Sequence, residues 1–289
     1  MPNELETLAA TCSSSLTPSS SVQWRCVLKV RLVVACLLLV LVHADQLHAE
    51  DCDAQCQAAR KAQDPLAPIT ALLTDNAIGF GPTEDNTNYN FQLQPVHTFE
   101  GADANVIVRG IVPIVGAPNG VSDTNWGFGD SIVQVFYKPN LNSDPGAFSV
   151  GFGPQVSFPT QTNMVGGPEW GAGPVLVGFG SAGDLNYGGV VGHLWGQDDF
   201  SLSTINLILL YNTKIFGGSY FGYNNNIFYD WNARSNSRLT LPLGLTAGKA
   251  FILDDGAVID AQIGAYGLAD RPSGGSDWQL KFALSFILP

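Results

Sequence analysis

The C-terminal segment 277–289, DWQLKFALSFILP, alternates between large apolar residues and small or polar ones. Trp278, Phe282 and Phe286 fall on one face of an extended chain, and Lys281 falls on the other. In a soluble sheet the apolar face packs on a core, whereas in a membrane barrel it faces lipid and the polar face lines the lumen. The alternation therefore predicts a β-strand. Which of its faces meets water depends on the pattern in the rest of the chain.

The same two-residue period recurs in segments of roughly ten residues that are separated by clusters of Gly, Pro, Asn and Asp. FSVGFGPQVSF and RLTLPLGLTAGK show it most clearly, each with one face of hydrocarbon side chains. An even number of strands lets a barrel close with both chain ends on the periplasmic side. The pattern predicts twelve strands, at 76–82, 88–99, 104–116, 127–138, 147–159, 169–180, 184–196, 201–213, 215–226, 236–249, 257–268 and 277–288.

The polar faces of these strands lack the Lys and Glu that a soluble sheet turns to water. Their length fits the roughly 9–11 residues that a tilted membrane strand needs. Aromatic residues cluster near the predicted strand ends, as in an interfacial girdle; the alternative is the core of a large sandwich. They are Trp126, Tyr137, Trp170, Tyr187, Trp195, Tyr211, Tyr229, Trp231 and Trp278. We predict an all-β fold: a closed antiparallel transmembrane β-barrel of about 12 strands, with a short N-terminal helical or irregular segment.

Composition supports the same interpretation. The 289 residues are 45% apolar but only 13% charged, with 32 Gly, 17 Pro and a formal net charge of −12. That is little surface charge for a soluble protein of this size. The 13 Lys and Arg residues are scattered, and this argues against nucleic acid as a partner, because phosphate binding needs clustered cations.

The strongest apolar run, Leu32 to Val42, follows Arg25, Lys29 and Arg31 and precedes small residues. This arrangement is typical of a cleaved secretory signal peptide; a permanent anchor is the alternative, but the run is shorter than the roughly 20 residues that a spanning helix needs. We expect export to the outer membrane of a Gram-negative cell. The predicted organisation is a disordered extension or mis-set start at 1–23, a signal peptide at 24–49, a periplasmic segment at 50–75 and the barrel at 76–289.

Two cysteines, Cys52 and Cys56, would remain after signal removal. In an oxidising compartment such a pair predicts a disulfide, with free thiols or a metal site as alternatives. A metal would need further ligands, and after cleavage near Ala49 no His or third Cys would lie near the pair in sequence. We predict no metal and no cofactor.

Catalytic chemistry finds little support. His97 and His193 each stand alone in a strand-like segment, and no GxSxG element occurs. Ser149 or Ser157 with His193 is the one pairing that would fit an outer-membrane lipid hydrolase, and neither serine has a recognisable nucleophile context. We predict no catalytic residue and no enzyme activity.

Five charged residues fall on the predicted lumen face: Arg109, Asp130, Arg238, Asp260 and Lys281. A charge facing lipid at mid-depth costs about 2–4 kcal/mol, so these side chains should point inward, where they must pair or be hydrated. They form either a structural lattice or one that also selects the solute. Because the last three lie on consecutive strands, we predict that they meet as one charge cluster.

Several stretches have the order and spacing of a known family. They are DPLAPITALL at 64–73, LQPV at 93–96, RGIVPI at 109–114, GFGDS at 127–131, GPQVSFPT at 153–160, GAGP at 171–174, LTLPLGLTAGKAF at 239–251, AQIGAY at 261–266 and the terminal segment. From about Asp64 onward the chain resembles the MetA-pathway of phenol degradation family of bacterial outer-membrane proteins. The cysteine pair and YNNN at 223–226 depart from the family pattern. The terminal strand also resembles the signal that the barrel assembly machinery reads, although the sequence ends on Pro289 and not on an aromatic residue.

The resemblance implies an outer-membrane barrel, a porin-like channel or transporter, that passes small, often aromatic or hydrophobic molecules. The expected partners are outer-membrane lipid, a small-molecule solute and the barrel assembly machinery. A structural or adhesion barrel is the alternative function.

Overall fold

The computed structural model describes residues 54–81, 87–118, 124–141, 147–162, 170–213 and 218–289, all within one compact unit. The extension predicted at 1–23 and the signal peptide predicted at 24–49 lie outside the described residues. No helix in the described ranges has the length and hydrophobicity to cross a membrane. The elements are α1 (Ala54–Gln63), β1 (Thr70–Phe80), β2 (Asn88–Phe99), β3 (Ala104–Pro118), β4 (Thr124–Phe128), β5 (Ser131–Pro139), β6 (Ser149–Phe158), β7 (Gly171–Ala182), β8 (Leu185–Gly196), β9 (Ser201–Thr213), β10 (Ser219–Asp230), β11 (Leu239–Ile252), β12 (Val258–Asp270) and β13 (Trp278–Ile287).

The strands form a closed ring. Each one pairs antiparallel with its neighbours, and β1 closes the sheet by pairing with both β2 and β13. β4 and β5 both pair with β3, with a one-residue change of register at Gly129 and Asp130, so they are two parts of one bulged strand. The structure is therefore a closed barrel of 12 strands with one short N-terminal helix, which confirms the predicted fold class.

The first strand differs most from its predicted bounds. β1 begins at Thr70, well before the predicted start at 76. Its alternation is hard to recognise because Leu72 faces outward while Leu73 faces inward and packs against a buried apolar cluster. Two consecutive apolar residues interrupt the alternation of apolar and polar positions by which a strand is predicted.

The two faces of the wall have opposite chemistry. On β13, Phe282 and Phe286 are exposed on the outer surface, whereas Lys281 and Ser285 are buried inside. On β6, Phe152 points outward and its inward neighbours are small or polar. The apolar face of the C-terminal segment is thus the outer one, as predicted.

The barrel has two distinct ends. We call the end with Thr70 and Pro289 the terminal end, and the opposite one the far end. Five exposed tryptophans lie at the far end, and two exposed tyrosines of the predicted girdle lie at the terminal end. They are, in that order, Trp126, Trp170, Trp195, Trp231 and Trp278, then Tyr137 and Tyr211. The exposed tryptophans therefore form a ring near the far end of the apolar band, and Tyr137 and Tyr211 lie near its other end.

Candidate functional site

The chain before β1 enters the barrel at the terminal end. Helix α1 is built from Ala, Gln, Arg and Lys, which are good helix formers, and its last turn carries Arg60 and Lys61, whose charge suits a helix C-terminus. The helix ends before Pro65. Ala58 and Ala59 are buried among inward-facing wall residues.

Four parts of the wall hold this helix in place. Gln63 donates to Asn212 Oδ1 on β9 at 3.0 Å and accepts from Asn186 Nδ2 on β8 at 2.5 Å. The Arg60 guanidinium donates to the Gly183 carbonyl, and Gln55 donates to the Ala250 carbonyl on β11. The contacts fix the helix inside the barrel end.

Residues 64–69 continue across the lumen to the other side. Leu66 is fully buried beside Gly151, where a Cβ would lie only 2.7 Å from the Leu66 side chain. Lys138 Nζ approaches the Leu66 carbonyl at 3.4 Å, and Thr98 Oγ1 donates to the Ala67 carbonyl at 3.2 Å. We call residues 54–69 the plug, since they fill the terminal end of the lumen.

Asp64 is the acidic side chain of the plug. Burial raises its pKa to about 6, although the Leu66 N–H, which donates to Oδ1 at 2.7 Å, and the charge of Lys138 act in the opposite direction. The docked plug therefore binds a proton at Asp64 more readily than free chain would.

A cavity of about 110 Å³ lies against the plug inside the barrel. Its polar lining consists of Gln63, Asp64, Thr74, Asp75, Gln94, Arg109, Asn206, Asn224, Asp260, Gln262, Lys281 and Ser285. Its apolar lining consists of Ala62, Pro65, Ile69, Leu73, Val96, Ile107, Phe136, Val190, Ile208 and Ala283. A space with both kinds of wall suits a small molecule that has a polar group and an apolar body.

Two of the carboxylates in the cavity have well-defined partners. Asp75 Oδ1 lies 3.1 Å from Lys281 Nζ, and its Oδ2 accepts from Asn226 Nδ2 at 3.4 Å. Lys281 also donates to the Asn224 carbonyl at 3.1 Å. The hydroxyl of Tyr220 lies 2.8 and 2.7 Å from the two oxygens of Asp260. Both acids are therefore held by neighbours within the wall.

Arg109 is different. Its Nη2 donates to Gln94 Oε1 at 2.6 Å, and its Nε is buried without a hydrogen-bond partner. A guanidinium has five N–H donors, so most of its capacity is unused.

The backbone pairing between β10 and β11 is interrupted in mid-strand. Their pairing stops between Gly222↔Thr246 and Phe228↔Thr240, where Pro242 offers no N–H. Tyr266 from β12 fills part of the gap, since its hydroxyl accepts from the Asn224 N–H at 3.3 Å and donates to the Asn224 carbonyl at 3.1 Å. The YNNN segment at 223–226 thus lies at the one described interruption of this pair of strands.

The structure brings together three of the five predicted lumen residues. Arg109, Asp260 and Lys281 line the cavity. Asp130 lies instead at the β4–β5 bulge, where its Oδ1 accepts from the Gln161 N–H at 3.0 Å. Arg238 lies before β11 at the far end, and its Nε donates to the Ala233 carbonyl at 2.9 Å.

The predicted cluster of Arg238, Asp260 and Lys281 is wrong. Register is the reason, because Asp260 pairs with Ala250, far along β11 from Arg238. Lys281 takes Asp75 as its partner, a residue that lay just outside the first predicted strand. Sequence reasoning also missed Gln94, Tyr220 and Tyr266, although the parity of their strands would have placed all three inside.

The serine–histidine pairing that a lipid hydrolase would need does not form between His193 and Ser157. His193 makes its hydrogen bonds to Ser203 at 2.8 Å and Ser201 at 3.3 Å, and its ring lies 4.2 Å from that of Trp195 on the outer surface. Ser157 is buried on the inner face of the wall. His97 also lies on the outer face, 2.7 Å from Thr70 Oγ1.

Cys56 is disulfide-bonded. Its predicted partner Cys52 lies outside the described residues, so the pairing stays a prediction.

The fold is similar to that of a solved outer-membrane protein. The COG4313 outer membrane channel from Pseudomonas putida F1 superimposes with a TM-score of 0.56 at 13% identity, covering 78% of this chain and 98% of that one. CdiB from Acinetobacter baumannii matches with a TM-score of 0.33 at 10% identity, covering 76% of this chain and 60% of that one. No protein-family model matches, and no curated protein matches in sequence. The chain thus has the fold of an outer-membrane channel, while the family resemblance of its motifs stays a prediction.

Proposed function

We propose that this protein is an outer-membrane channel for small molecules and that the plug is its gate. The observation that carries the proposal is the closed wall, apolar outside, around a polar cavity that residues 54–69 block at the terminal end. In lipid a closed barrel satisfies all of its backbone groups, and a polar lumen is its route for solute. Export by the signal peptide at 24–49 and assembly by the barrel assembly machinery belong to this proposal.

The solute is small and has an apolar part, which agrees with the aromatic or hydrophobic compounds that the motif resemblance implies. The lining supports this, because Ile107, Val190 and Ile208 supply apolar contacts in a cavity that also carries amide and charged groups. A structural or adhesion barrel would have no need of a cavity closed by a hydrogen-bonded helix.

Substitution of Gln63 by Ala tests the gate. Gln63 is 6% exposed and bonds to two strands, so its loss leaves Asn186 and Asn212 without their plug partner and weakens docking. We expect at least a severalfold rise in open-channel events in planar bilayers and faster liposome swelling with a neutral pentose.

Lys61→Ala is the matched control, since Lys61 is an exposed residue of the same helix. Both variants should migrate as folded barrels before heating in SDS. Wild-type and Gln63→Ala protein that are equally non-conducting, although folded, would contradict the channel and favour a structural barrel.

A further inference from the structure

The lumen contains guanidinium groups that no carboxylate neutralises by contact. Arg109 is the inner one, with Gln94 as its single hydrogen-bond partner and a buried, unpartnered Nε. Within the described ranges, none of its nitrogens lies within 4.0 Å of a carboxylate oxygen. Burial removes water from such a guanidinium at a cost in free energy, and its unused N–H groups can offset that cost by binding an anion.

The acids of the same cavity are engaged elsewhere. Asp75 faces Lys281 and Asn226, Asp260 accepts from Tyr220, and Asp64 accepts from the Leu66 N–H. Lys281 thus forms a direct ion pair with Asp75, whereas Asp75 attracts Arg109 only over a longer distance and does not contact it. An incoming carboxylate would complete the hydrogen bonds of Arg109 without displacing any of these pairs.

The far end of the barrel also carries guanidinium groups that no carboxylate contacts within the described residues. Arg234 and Arg238 line a cleft of about 520 Å³ with Ser237 and Ser273. Asp230 lies in the same cleft, but its Oδ1 accepts from the backbone N–H groups of residues 232 and 233. The inward-facing side chains of β9, β10 and β11 form the floor of this cleft, so it opens into the lumen mouth.

We propose that the channel selects small organic anions with a single carboxylate. Arg109 and Gln94 bind the carboxylate, and Val96, Ile107 and Ile208 contact the apolar body. Arg234 and Arg238 at the mouth raise the local concentration of anions. This inference rests on the proposed function and deepens it by naming the solute class.

Binding tests the inner site directly. Purified protein in detergent is titrated calorimetrically with butyrate, butyramide and butylammonium, which share one apolar body and differ in charge. We expect butyrate to bind wild type roughly tenfold tighter than butyramide, and Arg109→Gln to lose that preference. Arg109→Lys keeps the charge but not the two-pronged geometry, so it should retain part of the preference.

Arg271→Gln is the control, because Arg271 forms an ion pair with Asp277 and a 3.1 Å hydrogen bond to the Gly275 carbonyl. It should bind butyrate as wild type does. Equal binding of butyrate and butyramide by wild type, or tighter binding of butylammonium, would overturn the inference. So would an unchanged preference in folded Arg109→Gln protein.

Swelling of liposomes by a neutral pentose separates the two proposals. Pentose entry without any butyrate preference in binding would leave the channel standing and remove the anion site. Arg109-dependent butyrate binding without any solute entry would leave the anion site standing and remove the channel.

Discussion

Tyrosine hydroxyls supply hydrogen bonds that the barrel backbone cannot make where β10 and β11 separate. Tyr266, 1% exposed, serves both backbone groups of Asn224, and Tyr223 donates to the Pro242 carbonyl at 2.8 Å. Asn225 in the same stretch is buried with an unpartnered Nδ2. The barrel wall thus stays closed around Pro242, because side-chain hydrogen bonds replace the missing backbone hydrogen bonds between β10 and β11.

Tyr266→Phe should therefore destabilise the barrel. The substitution removes one hydroxyl, which leaves the Asn224 N–H without a partner and the Asn224 C=O with Lys281 Nζ alone, at a cost of about 1–3 kcal/mol in free energy of unfolding. Urea unfolding in detergent measures the change. Tyr211→Phe, at an exposed outer position, should stay close to wild type; equal losses in the two variants would show that the Tyr266 hydroxyl has no special role.

At the scale of elements, the positions of the strands could be predicted from the sequence, but the hydrogen-bond and ion-pair partners of their side chains could not. Period-two alternation places strands such as β6 and β13 because lipid and lumen demand opposite chemistry on alternate residues. The plug carries no such signal: its polar helix gives no indication that Gln63 reaches Asn186 and Asn212. Parity identified the inward-pointing charges Arg109, Asp260 and Lys281, but their partners depend on register. Lys281 was therefore predicted to lie in one cluster with Asp260 and Arg238, whereas its ion pair is with Asp75.

The plug should respond to pH through Asp64. Its pKa is about 6 when docked, against an ordinary 3.8, so docking favours the protonated carboxyl. The docked state is thus most stable below about pH 4, and it loses stability as the pH rises through 6. We expect more open-channel events at pH 7.5 than at pH 4.5 in planar bilayers.

Asp64→Asn should remove this dependence, because the amide stays neutral throughout. Asp254→Asn, at an exposed turn position of the terminal end, should keep it. The same pH dependence in Asp64→Asn and wild type would assign the response to another group.

At the scale of the whole molecule, the barrel reverses the usual arrangement of a globular protein. Its large apolar side chains are exposed outside, and most of its buried charges are inside, within a lumen narrow enough for Lys281 on β13 to reach Asn224 on β10. Such an outer surface is stable only when lipid covers it. Of two neighbouring positions on one strand, the inward-facing one should therefore tolerate a charged side chain, and the outward-facing one should not.

Positions 262 and 263 on β12 offer a matched pair. Ile263 is 58% exposed on the outer face, whereas Gln262 lines the cavity and accepts from Asn224 Nδ2 at 3.1 Å. Ile263→Lys puts a charge into hydrocarbon and should cost about 2–4 kcal/mol in free energy of unfolding from phospholipid bilayers. Gln262→Lys puts the same charge in the lumen near Asp260 and should cost less. Equal costs, or a larger cost at 262, would mean that the outer face of β12 does not lie in the lipid.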